Sequence, residues 1–153
     1  MSKISGGNLR MKLEERLSLA LNPATPQAAL DGLAGDRSIE VRQIVALSPY
    51  VSYAVLERLA DDPEPSVRLS VAQNSRTSPD TLGRLAGDSD AFVRLTVARS
   101  PNAAPYTIGF LITDAERAVR DAALANLAAR TTVVSPQPFV AVFEPNKRKV
   151  QLE

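Results

Sequence analysis

The chain has 153 residues, 44% hydrophobic, 5% aromatic and 23% charged, with 18 Lys and Arg against 17 Asp and Glu. It contains no cysteine, histidine or tryptophan. Disulfides, thiolate or imidazole metal ligation and cysteine- or histidine-based catalysis are thereby excluded, and any core is built from Leu, Val, Ile and Ala. Met1–Asn8 is polar, without the apolar run of a signal peptide, and no stretch approaches the length of a membrane span. The expected setting is the cytoplasm of a bacterium.

In chain order, residues 1–22 form an N-terminal segment with a half-unit cap. Arg16, Leu19, Ala20 and Asn22 fall on positions that recur downstream, and Glu15 stands where later units have valine, which suits a solvent-facing end. Four units follow over 23–126, at about 23–48, 49–74, 75–100 and 101–126. Their anchor is a Val-Arg pair at a constant 26-residue spacing: Val41-Arg42, Val67-Arg68, Val93-Arg94 and Val119-Arg120. Leu30, Leu56, Leu82 and Ile108 recur at the same period, as do Leu33, Leu59, Leu85 and Leu111, and then Asp36, Asp62, Asp88 and Asp114. A period of this length predicts a solenoid of supersecondary units.

Each unit reads as two short helices. Thr25-Pro26, Ser78-Pro79 and Ala104-Pro105 open the first, with a hydroxyl cap before proline in two of the three. Leu30 and Leu33 share one face, and Gly35 or Gly87 ends the helix. The second helix begins near Ile39, Ser66 or Phe92, buries Val41, Val45 and Ala46 at helical spacing, and stops at Ser48-Pro49 or Ser100-Pro101. Helices this short are marginal alone, so stability comes from stacking on neighbours. The fold expected is all-α, a right-handed helical solenoid of about four two-helix repeats, followed over 127–153 by the end of the last helix and an extended C-terminal arm.

The frame Val-Arg-x-x-Val-Ala, then Asn or Ser, Pro, x, Thr-Pro, then Leu-x-x-Leu-Ala-x-Asp resembles the leucine-rich repeat variant family over residues 15–126. The Asp and Arg six residues apart also resemble the HEAT pattern. The resemblance implies a sheetless solenoid alternating an α-helix with a second, often 3₁₀, helix. A founding type of that family carries an N-terminal cysteine cluster holding an iron–sulfur centre. This chain has no cysteine, so that cofactor does not carry over, and no cofactor or metal is expected.

Two readings compete for the arginine column. It could present guanidinium groups to phosphates or acidic peptides. Alternatively, Asp36, Arg42, Asp62, Arg68, Asp88, Arg94, Asp114 and Arg120 form an inter-repeat ion-pair ladder, with coupling sought between Asp62 and Arg68. The equal periodicity of both signs favours the ladder. Net charge is −3 over 23–126 and +2 in each flank, where Lys147-Arg148-Lys149 is the main basic cluster. A nucleic-acid-binding array would concentrate its cations on the units. Asp61-Asp62 and the Asp88/Asp90 pair sit in inter-helix turns, where carboxylates cap helices, and no catalytic constellation emerges.

The expected function is therefore a non-enzymatic protein–protein interaction module, an adaptor or an inhibitor of a larger assembly, with a nucleic-acid-binding repeat protein as the alternative. Variable inner-helix positions are the candidate contacts: Gln43, Gln73, Arg94, Arg99 and Asp121. Leu47, Leu69 and Leu95 lie among them and read equally well as filling space between repeats. After Arg130 the frame is lost, and Thr131-Thr132-Val133-Val134 and Phe139-Val140-Ala141-Val142-Phe143 read as extended chain. That arm either caps unit four or docks on a second copy as a homodimer through 131–153.

Overall fold

In a computed structural model, the structure describes residues 11–132, and the arm beyond Thr132 lies outside them. Nine α-helices and no strand occur among the described residues. The first, α1 (Leu13–Leu21), precedes four pairs: α2 (Gln27–Leu33) with α3 (Ile39–Leu47), α4 (Tyr53–Leu59) with α5 (Pro65–Gln73), α6 (Pro79–Leu85) with α7 (Ala91–Arg99), and α8 (Pro105–Leu111) with α9 (Arg117–Thr132). None of these helices is long and apolar enough to cross a membrane.

The second helices α3, α5, α7 and α9 pack directly on one another, continuing from α1, whereas the first helices pack on second helices and approach each other only sparsely. The second helices thus form the tighter, inner layer of the stack. One continuous aliphatic core runs between the layers, from Ala20 and Leu33 through Val45, Val71 and Val97 to Leu111 and Ala123.

The two ends of the array show which way each column of side chains faces. Glu15 is exposed in α1, which has no unit before it among the described residues, while Val41, Val67, Val93 and Val119 in the same column are buried. That column faces upstream. The next one does the opposite: Ala20, Ala46, Ala72 and Ala98 are buried, whereas Leu124 in the last unit is 53% exposed. Ala34, Ala60 and Ala86 are buried likewise, and Ile112 in their column is only half-buried. Small residues face downstream so that the next unit can approach closely.

Four local expectations are corrected. Thr25-Pro26 is out of register with Ser78-Pro79 by one residue, and Thr25 does not cap α2. Its hydroxyl donates to the Leu19 carbonyl, as that of Thr77 donates to Val71. Gly35 and Gly87 do not supply a left-handed terminus, since no glycine among the described residues has positive φ. Their amides close 3₁₀-type turns onto Gly32 and Arg84, which any residue can do, and Asp61 does the same with Arg58. Thr131 and Thr132 are helical: α9 runs on past Asn126, the position where the earlier second helices stop, and the Thr131 hydroxyl bonds back to Ala128. The seven-residue first helices are α-helical, where the family resemblance often implies 3₁₀.

Candidate partner-binding face and its ion-pair ladder

Each aspartate of the frame sits in the turn between the two helices of its unit. One carboxylate oxygen accepts the amide two residues on: Ser38 to Asp36, Glu64 to Asp62, Asp90 to Asp88 and Glu116 to Asp114, at 2.8–3.0 Å. The same carboxylate receives a two-pronged hydrogen bond from the arginine of the preceding unit. Arg42 meets Asp62 at 2.7 and 3.0 Å, Arg68 meets Asp88 at 2.7 and 2.8 Å, and Arg94 meets Asp114 at 2.7 and 3.0 Å. The third nitrogen of each guanidinium donates to the backbone carbonyl of its own unit's aspartate, six residues back. The ion pair thus joins residues 20 apart, and the Asp62–Arg68 pairing is corrected: Arg68 takes the Asp62 carbonyl and the Asp88 carboxylate.

At the upstream end, Arg16 Nε lies 2.8 Å from Asp36 but out of line for a hydrogen bond, and both side chains are almost wholly buried. At the downstream end, Arg120 bonds the Asp114 and Ala115 carbonyls, and its two-pronged side has no carboxylate among the described residues. In Asp62 and Asp88, burial pushes the carboxyl pKa up, yet the arginine and backbone hydrogen bonds together outweigh it and hold both below the ordinary range. In Asp114 the Arg94 hydrogen bond dominates outright, to the same effect. Arg42, Arg68 and Arg94 are held above the ordinary arginine value, chiefly by the same bonds.

The candidate contact residues separate on this geometry. Arg94 has all three nitrogens engaged in the ladder. Gln73 and Arg99 line one groove of about 360 Å3 where α5 and α7 end. Arg99 and Asp121 line the next, about 750 Å3 in volume, floored by Ala118, Ala122 and Ala125 of α9. Arg130 closes that groove, its guanidinium fixed on Asn126 and on the carbonyls of Ser100, Pro101 and Ala103. Gln43 lies two units upstream, half-buried. Leu69 and Leu95 pack partly against the core, while Leu47 is largely exposed.

The groove itself was not visible in the sequence, since alanine at 118, 122 and 125 reads as helix filler until the neighbouring helix is placed. Phe92, near the start of α7, is a further surface feature that the repeat does not demand, being 70% exposed. Its signal was available: the same column holds Glu40, Ser66 and Ala118, with no periodic apolar demand.

Stacked helix pairs locked by a periodic polar ladder define a helical-repeat protein. The family model described as leucine rich repeat variant matches residues 65–90, one 26-residue period running from α5 through α6. A comparison with curated proteins finds no match.

Proposed function

We propose that the protein is a non-enzymatic interaction module that recognises a protein partner on its inner layer, at the two grooves joined by Arg99. The observation that carries this reading is the contrast between locked and free side chains. The ladder consumes the regular charges, whereas Phe92, Leu47, Gln73 and Arg99 are exposed and differ from unit to unit. Arg99 has no partner among the described residues. Asp121 is held only loosely, 3.4 Å from Arg117 on the same helix. An alanine floor with a free guanidinium at its edge suits a segment that inserts an apolar side chain and presents a carboxylate.

The same accounting weakens the nucleic-acid alternative. Arg42, Arg68 and Arg94 are spent on aspartates, and Arg58, Arg76 and Arg84 on carbonyls of the preceding unit. A partner isolated by affinity capture and then purified tests the reading. Ala125→Arg, which fills the groove, and Arg99→Glu should each weaken its Kd by about tenfold or more, with Arg37→Glu, at a turn, as the control. Equal binding to all variants would overturn the assignment, and a steep salt dependence for oligonucleotides would favour the alternative.

A further inference from the structure

The downstream face of unit four departs from the downstream faces of the units before it in two independent ways. Its ladder position is open: Arg120 keeps the backbone bonds of its predecessors, but the side that in Arg42, Arg68 and Arg94 grips a carboxylate grips none among the described residues. Its apolar columns are enlarged, with Leu124 replacing Ala20, Ala46, Ala72 and Ala98, and Ile112 replacing Ala34, Ala60 and Ala86. Arg120 and Leu124 are four residues apart and share this face of α9.

An enlarged face does not fit another unit of the same kind. Alanine to leucine at a close helix contact pushes the axes apart, so a further repeat, or the first unit of a second copy, would sit too far away for the ladder geometry. An extended segment with its own side chains has no such spacing requirement. We propose that this face is a docking surface for the chain's own residues 133–153, whose Phe139 and Phe143 cover Leu124 and Ile112 and whose Glu144 carboxylate takes the open side of Arg120.

Reach and composition support that occupant. Leu124 lies eight residues before the end of α9, about 12 Å along the helix. Phe139 lies seven residues past that end, and extended chain covers about 3.3 Å per residue, so a segment turning back reaches Leu124 comfortably. In extended chain Phe139, Ala141 and Phe143 fall on one face, and Glu144 follows directly where Pro145 ends the run, setting an acid beside the apolar stripe. Covalent attachment also gives it a high effective concentration over any competing molecule.

Amide hydrogen exchange along α9, read together with light scattering, tests the proposal. In the full chain the amides around Leu124 should exchange slowly at every protein concentration in a monomer. Chain ended after Thr132, or the full-length double variant Phe139→Ser/Phe143→Ser, should exchange there about tenfold faster. Glu144→Gln and Arg120→Gln should each raise the rate, and together no further than either alone. Unchanged exchange in both the truncated chain and the serine variant would overturn the proposal. So would protection that fades on dilution alongside a halving of mass, which would assign the face to a second copy.

Discussion

At the start of α8, Ala104 occupies the position where Ser52 and Ser78 accept the amides of Val55 and Thr81. The loss is double. Ser78 also bonds the Thr81 hydroxyl, whereas Thr107, in the same column as Thr81, is buried with its hydroxyl unpartnered. A buried hydroxyl without a partner and a helix without a cap are both destabilising. Ala104→Ser should therefore raise unfolding free energy by about 1 kcal/mol, measured by urea denaturation. The serine would have to leave stability unchanged or lower for this account of the site to fail.

The inter-helix turn is the element in which charge and backbone are joined, and its dependence on pH follows from the aspartates. Asp62, Asp88 and Asp114 have folded-state pKa values below the ordinary 3.8. The unfolded chain therefore binds protons first as pH falls. Their stabilisation is complete above the ordinary aspartate range and is lost on acidification through the lowered folded values. The expected outcome is a stability plateau near neutrality that falls steeply below about pH 4, with a shallower acid limb in Asp88→Asn, compared by denaturant melts at pH 3 and 7. The helices of this element were readable from the leucine and valine period, because buried stripes need a fixed spacing. Which arginine meets which aspartate was not. A 26-residue period places Asp62 equally well against Arg68 within the unit and Arg42 before it, and only the stacking distance chooses. Thr25-Pro26 misled for a related reason, since a hydroxyl beside proline imitates a cap even when it bonds the helix behind it.

Across the whole molecule, stability accumulates from junctions between neighbours, each repeating an ion pair, an aliphatic contact and a set of backbone bonds. A second copy of residues 49–100 inserted after Ser100 would recreate each of those junctions. That longer array should melt at higher temperature, with a urea m-value increased roughly in proportion to the surface added. A biphasic transition would show instead that the junctions do not couple. The exposed inner face grows with the array, so recognition can be lengthened without altering the core.

The asparagine bonds at the unit boundaries add a rule about how such arrays lengthen. Asn74 donates to the carbonyls of Ala46 and Ser48, and Asn126 repeats this on Ala98 and Ser100. Donor and receiver alternate along the chain as Asn22, Ser48, Asn74, Ser100 and Asn126, and the buried threonines Thr25 and Thr77 alternate with Val51 and Ala103. The true translational period is therefore 52 residues, twice the spacing of the Val-Arg pairs. Growth or loss by one unit sets two like boundaries side by side, serine against serine or asparagine against asparagine. Growth by two preserves the alternation, so a doublet is the step by which this solenoid lengthens without a mismatched boundary.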